Sequence, residues 1–279
     1  MARTDVITPD ATAPAATAPS VARALFWSLA RISSVLVLLI GWEALARSGT
    51  FTPFVLPSLT SVVERIWSDA LSGELAINTG LTMYRALVGF LISAVLGILI
   101  GALMSRNVIA NWFFDPIVSV GFPMPKIAFL PVVILWLGVY DVSKITIVVI
   151  DAIFPVLAAT VLAIRGVERE LIWSARNMGA SDRELMWQVV LPAALPQIMT
   201  GLQVALPISM IVAVVAEMLM GGYGLGGAMM TASRFADSRG VFAGIVEIAI
   251  VGYVLIKLMA MLRRRLLIWH QEANEPTTA

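Results

Sequence analysis

The sequence predicts an all-α polytopic membrane protein with about six transmembrane helices. Three observations support this prediction: of the 279 residues, 59% are hydrophobic and only 13% are charged, and the mean hydropathy is +0.90. A soluble domain carries about twice that share of charged residues. No single water-soluble core could bury this much apolar surface, so we expect the apolar segments to lie in lipid.

Six apolar segments are long enough to cross a bilayer, since a spanning helix needs roughly 20 residues. We predict a disordered cytoplasmic tail at 1–20, one transmembrane domain at 21–270 and a second cytoplasmic tail at 271–279. Residues 47–83 are more polar, and the stretch 58–71 within them has the pattern of an interfacial helix. The predicted spans are about 25–46, 86–105, 116–138, 145–164, 198–220 and 241–262.

Two of these spans carry residues that tighten or break helix packing. Gly97 and Gly101 form a small-xxx-small pattern in the second span, which lets two helices approach closely. The third span contains Pro123, Pro125 and Pro131, and each proline removes a backbone donor. We therefore expect the third span to be kinked.

The composition excludes most enzyme classes. The chain has no cysteine, and its single histidine, His270, argues against a histidine-based triad or zinc centre. A net charge of +1 argues against a nucleic-acid partner. No phosphate-binding Gly-x-x-x-x-Gly-Lys-[Ser/Thr] pattern occurs, so we predict neither an ATPase site nor a cofactor in this chain.

Lysine and arginine in the short loops predict the orientation, because cytoplasmic loops are enriched in both. If the N-terminus is cytoplasmic, that side receives ten such residues: Arg3, Arg23, Arg106, Arg165, Arg169, Arg176, Arg183, Arg263, Arg264 and Arg265. The opposite side receives five: Arg47, Arg65, Lys144, Arg234 and Arg239. This difference predicts that both termini and the loop 165–197 are cytoplasmic.

The loop 165–197 predicts two short helices separated by a glycine. The first covers about 168–178 and stops at Gly179, a residue suited to a left-handed helix end. The second starts after Ser181, with Glu184 completing a capping box, and we expect Pro192 and Pro196 to end it. The apolar residues among its charges fit either a docking surface for a soluble partner or an amphipathic connector on the lipid headgroups.

This loop resembles the EAA motif of binding-protein-dependent ABC importer permeases. That motif reads Glu-Ala-Ala, three residues, Gly, nine residues, Ile, one residue, Leu-Pro. Gly179 stands at the glycine, Val189 at the isoleucine, and Leu191 with Pro192 at the ending. The chain departs from the motif at its start, where it has Trp173-Ser174-Ala175.

The resemblance extends over most of the chain, through FPMPKIAFLPVVILWLGV, FPVL, VVAEM and VFAGI, and is closest to the nitrate, sulfonate, taurine and bicarbonate subfamily. It implies the type I importer fold and a bacterial inner-membrane permease that moves a small solute, such as nitrate, a sulfonate or taurine. It also implies a second copy of the chain, two ATP-binding subunits that hold ATP and Mg, and a periplasmic solute-binding protein. The residues implied to contact the ATPase are Trp173, Ser174, Ala175, Arg176, Gly179, Ala180, Ser181, Val189, Leu191 and Pro192.

Four residues are candidates for the translocation pathway: Pro123, Pro125, Lys126 and Glu217. Lys126 fits either a cation lining an anion pathway or a structurally paired lysine. Glu217 suggests a proton relay, although pairing with a neighbouring helix, or a place at the dimer or pore surface, suits ATP-driven import better. For Asp151 and Glu247 the same alternatives, a proton relay or pairing within the protein, remain open. The glycine run 221–227 is interpreted as a flexible periplasmic turn.

A secondary transporter is the main alternative, since broken helices and intramembrane carboxylates could form its gates. Against it, no internal repeat is visible and the loop 165–197 would lack a purpose. An intramembrane enzyme is the weakest alternative, because no catalytic constellation is apparent.

Overall fold

The computed structural model describes residues 21–268, with side chains described from residue 33 onward. Every regular element in this range is helical. The predicted tails 1–20 and 271–279 and His270 lie outside the described residues, as do the side chains in the first part of the predicted span 25–46. The helices are α1 (Val21–Arg47), α2 (Leu59–Ser72), α3 (Glu74–Arg106), α4 (Val108–Gly121), α5 (Leu130–Leu137), α6 (Asp141–Arg165), α7 (Arg169–Asn177), α8 (Asp182–Glu184), α9 (Leu191–Met220), α10 (Leu225–Arg234) and α11 (Ser238–Leu266).

The described residues up to Thr60 form one compact unit, which consists of α1, the loop after it and the start of α2. The Glu43 carboxylate accepts hydrogen bonds from the backbone N–H of Leu59 at 2.7 Å and the hydroxyl of Thr60 at 2.6 Å. The Trp42 indole N–H donates to the Pro57 carbonyl at 3.0 Å. These bonds fasten the loop to the end of α1.

The described residues from Ser61 onward form the second unit, which contains the remaining candidate spans. Four helical runs are long and apolar enough to cross a membrane: α3, α6, the run Asp182–Arg234 that contains α9, and α11. Residues Val108–Gly121 and Lys126–Leu137 make a further span if they are taken together. These five segments overlap the last five predicted spans.

The third predicted span is a sharply broken pair rather than one kinked helix. Its two halves, α4 and the Lys126–Leu137 segment, meet at 95°. Pro123 and Pro125 fall in the connecting turn, and Pro131 lies in the first turn of α5, where no backbone donor is needed. With three prolines so close together, one continuous helix would lack several of its hydrogen bonds, so the chain breaks instead.

The α3 helix is longer than the second predicted span, because it starts at Glu74 rather than near residue 86. Gly73, at φ +83°, separates α3 from α2 in a left-handed conformation that suits glycine. The extra turns carry the polar residues Asn78, Thr82 and Arg85, each of which has partners within the protein. A hydropathy pattern cannot detect such partners.

The prediction that Pro192 and Pro196 end the second loop helix is wrong. From Asp182 the chain continues through a π-helical segment, Leu185–Val190, directly into α9, which contains both prolines. A π turn is wider than an α turn, so the missing N–H of Pro192 and its ring are accommodated where the two geometries meet. The loop helix and the fifth span are therefore one continuous rod.

A stripe of small residues on α3 brings it close to α6, as the Gly97 and Gly101 pattern predicts. A Cβ atom added to Gly97 would lie 2.9 Å from the Val156 Cβ, and one added to Gly101 would lie 2.8 Å from the Thr160 Cβ. The Ser93 hydroxyl completes the contact by reaching the Val149 carbonyl at 3.2 Å. The α3, α6 and α9 helices together form the core of this unit.

The second unit has two distinct ends, which we name by their composition. At the arginine-rich end, Arg106 donates to the Asp182 carbonyl at 3.2 Å, and Arg165 donates to the Asn111 side chain at 2.7 Å. The glycine-turn end holds the starts of α3 and α6 and the residues that follow Met220. The 33 residues of α3 separate the two ends by roughly 50 Å, at 1.5 Å per residue.

Candidate functional site

The loop between α6 and α9 begins with α7 and a glycine stop. Gly179 has φ +87°, and its N–H bonds to the Arg176 carbonyl at 2.9 Å, while the Ala180 N–H bonds to the Ala175 carbonyl at 3.1 Å. This pattern closes the last turn of a helix through a left-handed residue. A Cβ atom added to Gly179 would meet nothing within 4 Å, so backbone conformation alone requires glycine here. The predicted helix end is confirmed.

The next helix starts with the predicted capping box. The Ser181 hydroxyl accepts from the Glu184 N–H at 3.3 Å, and the Glu184 carboxylate accepts from the Ser181 N–H at 2.9 Å. A further bond of 2.6 Å runs from the Ser181 hydroxyl to the same carboxylate. These hydrogen bonds hold the pKa of the Glu184 carboxyl below its usual value. The two helices and their glycine turn, residues 169–192, are called the coupling segment below.

One face of the coupling segment packs on the helix bundle. Ala175, Leu185 and Met186 are buried in a cluster with Ile164 of α6 and Ile198 of α9. Leu185 and Met186, two apolar residues of the loop 165–197, therefore belong to the protein's own core. The segment is anchored on α6 and α9, so a force applied to it would be transmitted to both helices.

The opposite face leaves large apolar side chains exposed. Trp173 is 59% exposed and Met178 is 82% exposed, with Leu171 and Trp187 also exposed nearby in sequence. Charged residues border them, including an ion pair of 3.3 Å between Arg176 and Asp182. Exposed aromatic residues with a charged rim are typical of protein interfaces.

The predicted ATPase-contact residues divide between these two faces. Ala175 is buried, whereas Ala180, Val189 and Leu191 are half-buried. The remaining six are exposed: Trp173, Ser174, Arg176, Gly179, Ser181 and Pro192. Trp187 was not among the predicted residues, although its place on the charged side of an amphipathic pattern could have indicated it.

At the glycine-turn end, Glu217 forms a buried polar cluster with residues of α3. It is 0% exposed and accepts hydrogen bonds from Arg85 Nη1 at 2.6 Å and the Thr82 hydroxyl at 2.8 Å. The Gly226 N–H donates to Glu217 Oε2 at 3.1 Å. Arg85 also pairs with Asp141 at 2.7 Å. Glu217 thus pairs with a neighbouring helix, which is one of the alternatives that the sequence left open.

The glycine run 221–227 is a hydrogen-bonded turn at 221–224 followed by the start of α10, rather than the flexible turn expected. The Gly224 N–H donates to the Asn78 side chain at 2.9 Å, and the Leu225 N–H donates to the Thr82 hydroxyl at 2.9 Å. Lys144 Nζ donates to the Gly221 carbonyl at 2.9 Å. A Cβ atom at Gly226 would collide with the Val214 carbonyl, so close packing requires this glycine. Glycine composition suggested flexibility because these partners are distant in sequence.

Lys126 lies in the turn between α4 and α5 and is structurally paired. Its Nζ lies 3.2 Å from Asp151 and donates to the Phe122 carbonyl at 2.8 Å. The same ammonium stands 4.8 Å from the centre of the Phe154 ring, within cation–π distance. Pro123 and Pro125 are exposed in this turn. The structure does not bring Lys126 and Glu217 into contact with each other.

Sequence reasoning missed Arg85, Thr82, Asn78 and Lys144 as partners of Glu217 and the glycine run. The available signal was charge complementarity, because a charged residue inside an apolar helix needs a partner of opposite sign. Arg85 and Glu217 satisfy this rule across two spans, although the sequence does not show which pairs meet.

The comparisons with known proteins agree with this architecture. The family described as "Binding-protein-dependent transport system inner membrane component" matches residues 93–268. The putative aliphatic sulfonates transport permease protein SsuC of Bacillus subtilis is 36% identical over 82% of this chain and 83% of its own. The taurine transport system permease protein TauC of Escherichia coli is 30% identical over 89% of this chain and 94% of its own. A riboflavin transport system permease protein, RibX of Chloroflexus aurantiacus, is also 30% identical, over 85% of this chain and 88% of its own.

A solved structure of the MetNI methionine ABC transporter in an inward-facing conformation shares the fold. Its TM-score is 0.63 at 19% sequence identity, and the match covers 71% of this chain and 98% of that one. The fold is that of an ABC importer permease, and the relatives are transport permease subunits rather than enzymes. The chain is a multi-pass membrane protein that belongs to the binding-protein-dependent transport system inner membrane component family.

Proposed function

We propose that this chain is the membrane-spanning permease subunit of an ATP-driven importer, moved by separate ATP-binding subunits. The observation that supports this most strongly is the coupling segment, which is anchored on α6 and α9 by one face and exposes Trp173 and Met178 on the other. A secondary transporter has no need of such a surface. Hydrolysis, with its ATP and Mg, belongs to the partner subunits in this proposal.

The continuous rod from Asp182 through α9 supplies the mechanical link in this mechanism. A shift of the coupling segment moves α9 as one body, because the π segment joins the two without a loop. At the far end of α9, Glu217 holds Arg85 of α3 and the glycine turn. ATP-dependent closure of the partner would therefore shift the bundle between inward- and outward-facing states.

We propose that the arginine-rich end faces the cytoplasm, with both chain termini on that side, in a bacterial inner membrane. The basic residues at this end include Arg106, Arg165, Arg169, Arg176 and Arg183, as cytoplasmic loops require. The glycine-turn end then faces the periplasmic solute-binding protein. A second copy of this chain completes the bundle.

A small anion is the proposed solute, with sulfonates and taurine favoured over nitrate by the named relatives SsuC and TauC. We propose that the Pro123–Lys126 turn lines the pathway and that Lys126 exchanges Asp151 for the passing anion. Glu217 contributes by closing the outer end. Lys126→Gln is expected to raise the KM for uptake by about tenfold, the loss of one charged hydrogen bond. An unchanged KM in proteoliposomes would remove Lys126 from the pathway.

ATP dependence of uptake distinguishes this proposal from the secondary-transporter alternative. The assembled complex is reconstituted in proteoliposomes with its binding protein, and taurine uptake is measured with internal ATP, with ADP, and with an ion gradient alone. We expect uptake only with ATP. Uptake that follows the ion gradient and ignores ATP would instead support the secondary transporter.

A further inference from the structure

A cleft at the glycine-turn end lies outside the coupling segment and the Arg85–Glu217 cluster. Its volume is about 450 Å³, and its walls come from α2, the first turns of α3, α10 and the first turns of α11. Charged side chains line it at five positions: Arg65, Asp69, Glu74, Asp237 and Glu247. Four acids against one base give the cleft a negative potential, which attracts cations.

The single base in the cleft is already neutralised. Arg65 Nε lies 2.9 Å from Asp69, and Arg65 Nη1 lies 2.8 Å from Asp237. Asp237 also caps α11 by accepting from the Gly240 N–H at 3.1 Å. Arg65 therefore directs its hydrogen bonds at two other carboxylates, Asp69 and Asp237.

Glu247 is the group that lacks a partner. It is 9% exposed, and its Oε1 atom is buried without a hydrogen-bond partner in the described part of the chain. A buried carboxylate oxygen without a donor is costly, so native proteins rarely keep one that binds nothing. Within the described residues, no group of three ligating side chains could hold a metal ion. An unpartnered carboxylate oxygen is complemented by an N–H donor, and a cationic donor makes the stronger hydrogen bond.

Glu247 also borders a second, apolar cavity of about 520 Å³. The two cavities share Glu247 and Leu75, and aliphatic side chains such as Ile66, Ile250 and Val251 line the second one. A molecule held by its cationic end at Glu247 would thus find an apolar surface next to it. We propose that this is a binding site for a primary ammonium group carried on a short aliphatic chain.

Two sources supply this chemistry in a membrane transporter. One is a soluble aminoalkyl solute such as an aminosulfonate, and the other is the ethanolamine headgroup of a phospholipid. Both present three N–H donors on a short carbon chain, which suits a lone carboxylate oxygen. The proposal concerns the ammonium group itself and is tested without the ATP-binding subunits, so it stands or falls separately from the proposed transport function.

The test uses the full chain in nanodiscs of phosphatidylcholine and phosphatidylglycerol, which lack primary amines. Propylammonium chloride is titrated calorimetrically, with sodium propanesulfonate as the anionic comparison. We expect propylammonium to bind the unmodified chain and Glu247→Gln to bind it at least about tenfold more weakly, since an ionic hydrogen bond is lost. Glu64→Gln, an exposed carboxylate on α2 that does not line the cleft, is the matched control and keeps the unmodified affinity.

The two sources give different results in competition. If the headgroup occupies the site, phosphatidylethanolamine added to the nanodiscs abolishes propylammonium binding; if the solute does, 2-aminoethanesulfonate competes and the lipid does not. No binding to the unmodified chain, or equal binding to Glu247→Gln, overturns the proposal. Should Glu247→Gln fail to fold, Glu247→Asp keeps the charge but withdraws it by one methylene. The affinity of the Glu247→Asp variant for propylammonium must then fall, and an unchanged affinity overturns the proposal as well.

Discussion

Gly179→Val is expected to uncouple ATP hydrolysis from uptake while the chain still inserts and folds. At φ +87° a β-branched side chain is strained by about 1–2 kcal/mol, so the turn must open. That energy corresponds to roughly a 5- to 30-fold shift between two conformations. Uptake in proteoliposomes should fall by a factor in this range, whereas the ATPase activity of the complex should persist.

The chain offers a matched control for this variant. Gly73 has φ +83° and equally open space around its Cβ position, but it lies between α2 and α3, at the opposite end of α3 from the coupling segment. Gly73→Val therefore introduces the same backbone strain elsewhere. If it lowers uptake as much as Gly179→Val does, the effect reflects general destabilisation and the role of the coupling segment is refuted.

Arg85→Met is expected to be among the most destabilising single substitutions at the glycine-turn end. It leaves Glu217 buried without its cationic partner, which costs about 3–5 kcal/mol. Glu217→Gln should cost less, because glutamine can still accept from Thr82 and Gly226, and Arg85 retains Asp141. Thermal unfolding of the purified chain in detergent shows which of the two variants is less stable.

A double variant and a control substitution at an exposed arginine complete this stability measurement. Replacing both members of a buried ion pair by apolar residues is often close to neutral, so Arg85→Met with Glu217→Met should be more stable than Arg85→Met alone. Arg234→Met, on the exposed surface of α10, should change the stability by less than about 0.5 kcal/mol. A double variant that is less stable than either single one would show that the pair is not the stabilising unit.

The described helices overlap the last five predicted spans, because each apolar run is visible in the sequence alone. The sequence also predicts the Gly179 helix end and the Ser181–Glu184 capping box, since both depend on residues within a few positions of one another. Gly97 and Gly101 identify the tight face of α3 for the same reason. The sequence is sufficient to predict a structural feature where the interacting residues lie on the same helix or in the next turn.

The errors arise where the deciding partner is distant. The early start of α3 depends on bonds from Thr82 and Arg85 to Glu217, more than 100 residues away. The fixed glycine turn depends on Asn78 and Lys144, which belong to other helices. Pro192 does not end the helix because the preceding π segment accommodates it, and neither hydropathy nor capping patterns distinguish π from α geometry.

A photo-crosslinking amino acid at position 178 tests the central claim most directly, since Met178 is 82% exposed on the outer face of the coupling segment. The same residue at position 223, an exposed site at the glycine-turn end, serves as the control. In the assembled transporter we expect position 178 to crosslink to the ATP-binding subunit and position 223 not to. Crosslinking of position 178 to lipid alone, or of position 223 to the ATP-binding subunit, would contradict the mechanism.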